Sequence, residues 1–280
     1  MQLFDEEIIS NKNSNLIHTI KEVYRFRFLL LMLIKKEFII FYKQTILGPL
    51  WYLIQPTINT IVFNIVFGKI AKLPTDGIDP FLFYFSGIIL WGYFANCILL
   101  TGATFKSNND TFSKIYFPRL VVPISYVVIS LIQFSVQFIL FLILIFFIDS
   151  SLYINLLQNF IIVPLIILQI MITSIGVGCL ISALTTRYRD LSYVVNFFVQ
   201  IWMFLTPVVY PLSSTDGYSF SVIILLNPMT PIFELFRMVI FNNSSVDFTL
   251  LISSTIFSLI TFFAGVVFFN KIQRNFTDTI

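Results

Sequence analysis

The sequence has few charged side chains, and this scarcity decides the class of protein before any motif is considered. Of its 280 residues, 17 are Lys or Arg and 14 are Asp or Glu, so only 11% carry a charge. Soluble globular domains carry about 25% charged residues, so this chain cannot cover an ordinary water-facing surface. Hydrophobic residues make up 58% of the chain, and that richness excludes general disorder.

Histidine and cysteine are also scarce. His18 is the one histidine and lies in the N-terminal segment, whereas the two cysteines, Cys97 and Cys179, fall inside apolar runs. This usage excludes a disulfide framework and a CxxC metal site. The sequences GxxxxGK[ST], HExxH and GxSxG are missing. We therefore expect no enzymatic centre and no metal or cofactor bound by this chain.

Long uncharged runs fill most of the chain. Six of them contain between 23 and 37 residues each, and a membrane-spanning helix needs about 20 apolar residues. Ion-driven carriers keep ionisable groups within the membrane, and these runs contain none, so a partner is expected to supply the energy. The pattern predicts an all-α membrane protein with spans at residues 48–68, 81–104, 120–148, 160–184, 191–210 and 248–269.

Lys and Arg are distributed unevenly among the connections between these spans. Six spans place both termini on one side, and that side holds 14 of the 17 basic residues. Basic connections favour the cytoplasmic side, so both termini are expected in the cytoplasm. The net charge of +3 then reflects orientation. No loop large enough to form a domain contains a basic stretch with interleaved aromatic residues, so nucleic-acid binding is not expected.

The remaining segments flank the six-span transmembrane domain, which covers 42–270. Residues 1–15 are polar and are expected to be disordered. Residues 16–41 carry apolar side chains at helical spacing with charges between them, which predicts an amphipathic helix in the cytoplasmic membrane interface. A short soluble helix packed on a partner is the alternative. Residues 271–280 are predicted to form a cytoplasmic tail.

The segment between the fifth and sixth spans is too interrupted to cross the membrane. Its residues from Gly217 to Phe233 are uncharged, but Asn227, Pro228 and Pro231 break the apolar pattern. We expect two short re-entrant helices that enter the outer leaflet and meet at this break. Irregular backbone at such a depth has to be buried in protein or line a water-filled cavity.

Several motifs resemble those of the type-2 ABC export permeases for polysaccharides. They occur in the family's order and cover about residues 30–280. The tail departs from the family pattern, because Gln273 stands where an acidic residue is expected. The motifs are YKQTILGPLWYLIQP (Tyr42–Pro56), KIYFPRLVVPIS (Lys114–Ser125), TTRYRDL (Thr185–Leu191), TPVVYPL (Thr206–Leu212), NPMTPIFELFR (Asn227–Arg237) and FFNKIQRNFTDTI (Phe268–Ile280).

The resemblance implies a transport subunit in the bacterial inner membrane. Two copies of the chain would form a channel at their interface, and two separate ATPase subunits would bind ATP and Mg²⁺. The expected substrate is a lipid-linked polysaccharide, with O-antigen as the first choice. Capsular polysaccharide or teichoic acid is the alternative, followed by a drug or small lipid.

Aromatic and basic residues near the first span are candidates for substrate contact. Aromatic rings can stack on the apolar C–H faces of sugars without a fixed charge, although lipid-facing positions explain most aromatic residues in spans. The candidate channel aromatics are Trp51, Tyr52 and Tyr210. A lipid-linked glycan would carry a pyrophosphate, for which Lys35, Lys36 and Lys43 are candidates, with general headgroup contact as the alternative.

Two further groups lie in the connections. Short polar inner connectors can transmit movement from the ATPase, while their arginines also fit a purely topological role. The coupling candidates are Asn109, Asp110, Phe112, Tyr116, Arg187, Tyr188, Arg189 and Asp190. The outer-gate candidates are Asn227, Pro228, Pro231, Glu234 and Arg237, in which Glu234 and Arg237 have the spacing of an ion pair that pins the gate.

Overall fold

The structure is a computed structural model and describes residues 16–43, 47–108, 112, 117–188, 190–215, 221–242 and 246–276. Within these ranges it contains helices and turns but no strand. The predicted disorder of 1–15 lies outside them. The α-helices are α1 (Leu16–Arg25), α2 (Arg27–Lys43), α3 (Trp51–Phe63), α4 (Pro80–Gly102), α5 (Thr104–Ser107), α6 (Val121–Ile148), α7 (Ser151–Asn159), α8 (Ile162–Arg187), α9 (Leu191–Phe204), α10 (Ser221–Leu226), α11 (Thr230–Phe241) and α12 (Phe248–Phe276).

Five of the predicted spans are confirmed as helices long and apolar enough to cross a membrane. The first combines a 3-10 turn at Gly48–Leu50, α3 and a π-helix at Asn64–Ile70. The other four are α4, α6, α8 and α12.

The predicted fifth span, 191–210, is not confirmed as a helix that crosses the membrane, because α9 ends at Phe204 after 14 residues. At 1.5 Å per residue it is about 21 Å long, shorter than the roughly 30 Å hydrocarbon layer. Pro207 explains the early end, since it has no N–H and its ring clashes with the carbonyl four residues before.

Helix α4 forms the centre of the bundle. It packs on α3, α6, α8, α9 and α11, and most of its side chains are buried. Its first turn is fixed by Asp79, whose Oδ1 accepts hydrogen bonds from the main-chain N–H groups of Phe81 (2.9 Å) and Leu82 (3.2 Å). Large aromatic side chains such as Phe85 and Phe141 stack at 5.9 Å in the surrounding core. The helices that surround α4 therefore pack against a rigid aromatic centre.

Small residues allow α8 to approach both α12 and α4. A Cβ atom on Gly176 would lie 2.5 Å from the main-chain N of Phe262 in α12. On the same interface, the hydroxyls of Thr173 and Ser258 lie 2.7 Å apart in a buried position. Towards α4, a Cβ atom on Gly178 would lie 2.6 Å from Thr101 Cβ. Small side chains and hydroxyl pairs of this kind join helices in membranes, where lipid removes the hydrophobic drive for association.

The N-terminal segment forms two helices, α1 and α2, instead of the single predicted helix. Helix α2 packs on α6, and Leu29 and Leu33 contact the apolar cluster at that end of the bundle. Phe28, Leu31 and Met32 are exposed on the other side. Because apolar residues occupy both sides of α2, its middle turns are less amphipathic than the sequence interpretation required. The placement of this segment in the membrane interface stays a prediction.

The predicted break between the two outer helices is present. Helix α10 ends at Leu226 and α11 begins at Thr230, so the chain is non-helical at 227–229. Thr230 Oγ1 donates to the carbonyl of Ile224 (2.6 Å) and joins the two helices across the break. Helix α11 is buried along most of its length. The entry of these helices into the outer leaflet stays a prediction.

Candidate functional site

Exposed amide side chains mark one part of the bundle. Among the described residues of α9 and the five helices long enough to cross a membrane, the exposed Asn and Gln side chains lie on α3, α4 and α9. On α3 and on α9 they are four residues apart, so each pair shares one helix face. Helix α4 packs on both α3 and α9, which places the three helices side by side. The residues are Gln55 and Asn59 on α3, Asn96 on α4, and Asn196 and Gln200 on α9.

These amides are poorly suited to contact with lipid. The side chains of Gln55, Asn59 and Gln200 make no hydrogen bond with the described residues, and an amide without a partner in an apolar medium costs several kcal/mol. Polar side chains in spans normally face the protein interior or a water-filled cavity. The exposed amide face therefore indicates a wet surface or a second protein surface.

Exposed hydroxyls on α6 and α12 are satisfied within their own helices. On α6, the hydroxyl of Ser135 donates to the carbonyl of Leu131 in its own helix (2.8 Å). On α12, Ser253 does the same towards Leu250 (2.8 Å). Hydroxyls that are satisfied within their own helix tolerate lipid. Large apolar side chains such as Ile139 and Ile143 share the α6 surface, so we assign this surface to the lipid side.

The predicted channel aromatics do not share one surface. Trp51 is 43% exposed and precedes Gln55 by four residues, so it extends the amide face of α3. Tyr52 is buried, and its hydroxyl oxygen accepts a hydrogen bond from Gln133 in α6 (3.1 Å). Tyr210 lies beyond the end of α9, where its hydroxyl donates to the carbonyl of Phe204 (3.0 Å). Only Trp51 of the three lies on the amide face.

Asn227 holds the break in the outer gate region. Its Oδ1 accepts from Trp202 Nε1 (2.9 Å) and from the main-chain N–H of Met229 (3.1 Å). Its Nδ2 donates to the carbonyl of Leu205 (3.0 Å) and to Thr206 Oγ1 (2.8 Å). One buried side chain therefore ties the turn after α9 to the start of α11.

The prolines of the gate region occupy the positions expected from their chemistry. Pro231 lies in the first turn of α11, where the missing N–H removes no helical hydrogen bond. Pro228 lies within the break, and its carbonyl accepts a hydrogen bond from Ser254 Oγ in α12 (2.5 Å). The break is therefore also fixed to the last span.

Glu234 and Arg237 form the predicted ion pair, with Arg237 Nη1 3.3 Å from Glu234 Oε1. Arg237 also donates to the carbonyls of Val208 (3.1 Å) and Tyr210 (3.4 Å), and its Cζ lies 3.9 Å from the centre of the Phe83 ring. Burial raises the pKa of Glu234, against the opposing effect of Arg237. Burial lowers the pKa of Arg237 to about 10, so the guanidinium stays charged at neutral pH.

The coupling candidates are described only in part. Phe112 is buried, with its ring 5.9 Å from Phe105 and 5.6 Å from Phe117. Tyr188 and Asp190 are exposed between α8 and α9. Arg187 ends α8. Asn109, Asp110, Tyr116 and Arg189 lie outside the described residues.

Lys35, Lys36 and Lys43 are exposed along α2, which suits contact with anionic headgroups. Their role with a pyrophosphate stays a prediction.

Arg119 makes contacts that the sequence did not predict. It is buried, its Nη1 donates to the main-chain carbonyl of Gln273 (3.1 Å), and its Cζ lies 5.2 Å from the centre of the Phe112 ring. The amide face was also missed, although the four-residue spacing of Asn and Gln inside apolar runs is visible in the sequence.

The long apolar helices and the nearly uncharged exterior define a multi-pass helical membrane protein. Comparison with known protein families identifies the family within this class. The ABC-2 type transporter family matches residues 29–241, so the chain belongs to the ABC-2 type transporters.

Similar curated proteins share almost the full length of the chain. An O-antigen export system permease protein RfbA from Myxococcus xanthus is 25% identical over 268 residues, which cover 95% of this chain and 100% of the relative. A protein of the same name from Klebsiella pneumoniae is 24% identical over 252 residues, which cover 90% of this chain and 95% of the relative.

Proposed function

We propose that this chain is the permease subunit of an ATP-driven exporter that moves a lipid-linked polysaccharide of the O-antigen type across the bacterial inner membrane. Two copies form the conduit, both termini lie in the cytoplasm, and two separate ATPase subunits bind ATP and Mg²⁺. The family membership supports the transporter class, and the full-length similarity to O-antigen export permeases supports the substrate.

The exposed amide face of α3, α4 and α9 carries the proposal. Five amides and Trp51 lie on a surface that a single copy leaves uncovered. A two-fold axis next to this surface would bring the amides of both copies around one wet path. Amides exchange hydrogen bonds with sugar hydroxyls, and aromatic rings cover sugar C–H faces. Such a path supports a glycan without any fixed charge.

The gate contacts suggest how the outer end is closed. Asn227 and Arg237 hold the turn after α9 against α11, so movement of α9 is transmitted to the outer helices. At the inner end, α8 and α9 are joined by a short connector that contains Tyr188 and Asp190. We assign this connector to the contact with the ATPase, because short connectors transmit a push better than long flexible ones.

A reconstitution experiment tests the function. The chain and its ATPase are placed together in proteoliposomes with a lipid-linked O-antigen glycan, and the glycan that reaches the opposite leaflet is measured. We expect ATP-dependent translocation that is reduced by the paired substitution Asn59→Leu and Gln200→Leu. The control Ser135→Ala on the lipid side should transport normally. Failure of the unsubstituted complex to move the glycan would refute the proposal.

Thiol labelling tests the wet path separately. Both native cysteines, Cys97 and Cys179, are buried, so an introduced cysteine can be labelled without removing them. We expect a membrane-impermeant thiol reagent to label Asn59→Cys and Gln200→Cys in the assembled transporter, but not Ile143→Cys on α6. Equal labelling at all three positions would contradict the assignment of the conduit face.

A further inference from the structure

The charges near the amide face lie only at its two ends. From Gly48 to Gly68 the first span has no charged residue, and none occurs from Leu191 to Thr215. Lys69 marks the outer end of the first span. At the inner end, Lys106 Nζ lies 3.3 Å from Ser192 Oγ and 5.9 Å from the centre of the Tyr193 ring. The middle of the face therefore presents amides, aromatic rings and aliphatic groups.

The α4 part of this face adds space but no charge. A Cβ atom on Gly92 would have no neighbour within 4 Å, and Asn96 lies one turn further along. Residues 80–105 contain no charged side chain. All three helices that expose amides are therefore uncharged over the depth of the membrane.

A polymer with a negative charge in each repeat would move along such a wall at a high cost. Each charge would pass from bulk water into a narrow path surrounded by helices and lipid, where it is less well solvated and meets no cation. An unpaired charge at the membrane centre costs about 3 kcal/mol even where water reaches it. Several repeats would occupy the conduit at once, so the cost would be repeated. A neutral glycan loses only hydrogen bonds to water, which the amides replace.

We propose that the conduit selects glycans whose repeat units are uncharged, and that polymers with a phosphate or carboxylate in each repeat are excluded. This inference rests on the proposed function, because it concerns the substrate of the same conduit. Lys106 and Lys69 at the two ends suit a single charged end group. They do not provide counter-charges along the path.

The test compares two lipid-linked glycans of equal length in proteoliposomes that contain the complete transporter. One is neutral, and the other carries one carboxylate in each repeat. We expect the anionic glycan to move more slowly by roughly 100-fold or more, since about 3 kcal/mol for a single unpaired intramembrane charge already corresponds to that factor. Equal rates would overturn the inference and leave the proposed function standing. Movement of neither glycan would overturn the proposed function itself.

Charge variants test the assignment to this face. Gln200→Arg should raise the rate for the anionic glycan at least about tenfold, because a guanidinium supplies the missing counter-charge. Gln200→Glu is the matched control and should not raise it. Asn59→Arg and Asn59→Glu repeat the comparison on α3 if a Gln200 variant does not fold. The inference is wrong if the arginine variants that fold transport the anionic glycan no faster than their glutamate controls.

Discussion

The buried ion pair in α11 provides the sharpest test of the outer gate. Arg237→Met would remove the hydrogen bonds to Val208 and Tyr210 and leave Glu234, only 6% exposed, without its cation. Removing one partner of a buried pair costs about 3–5 kcal/mol of unfolding free energy. Glu234→Leu should also destabilise the protein, since it leaves the buried guanidinium without its carboxylate.

The double variant Glu234→Leu with Arg237→Met separates the ion pair from the carbonyl contacts. It leaves no unpaired charge, so its loss should be smaller than the sum of the two single losses by about 2 kcal/mol or more. The carbonyls of Val208 and Tyr210 lose their hydrogen-bond donor in both Arg237→Met and the double variant. That cost therefore cancels when the double variant is compared with the sum of the single variants. Unfolding in mixed detergent micelles measures the four free energies. Losses that add to within about 0.5 kcal/mol would refute the reasoning.

Three further predictions follow from the packing. Gly176→Ala should reduce stability by about 1–3 kcal/mol, because its Cβ meets main-chain atoms. Gly92→Ala, whose Cβ meets no neighbour, should not reduce stability, and the thermal unfolding midpoints of both variants in detergent check this. Asn227→Ala should cost about 2 kcal/mol or more, because it leaves buried donors unpaired, and should change the fluorescence of Trp202; an unchanged spectrum and midpoint would contradict this. Arg119→Ala should release the tail, which limited proteolysis detects as faster cleavage there.

Local sequence signals predicted most of the helices. The uncharged run beyond Asp79 predicted α4 to within a few residues, because a helix in lipid is defined by its own length and composition. The predicted fifth span, 191–210, was not confirmed for a related reason: the run is uncharged to Thr215, but Pro207 ends the helix inside it. A count of apolar residues does not register where a proline stops hydrogen bonding.

The candidate site was less visible than the helices. The spacing of Glu234 and Arg237 predicted their pairing, since residues three apart in a helix are neighbours. The carbonyl partners of Arg237 and the burial of Tyr52 depend on how distant helices pack, which the sequence pattern does not encode. Likewise, Gln133 and Gln55 look equivalent in the sequence. One is paired with Tyr52 and the other is exposed.

The backbone contact between α8 and α12 has a consequence for motion. Helices that touch through Gly176 and Phe262 without intervening side chains cannot slide or tilt against each other without a steric clash. We therefore expect α8 and α12 to keep their positions relative to each other. We expect opening to involve α3 and α9, and we predict that a transport cycle leaves hydrogen exchange in α8 unchanged while raising it in α9.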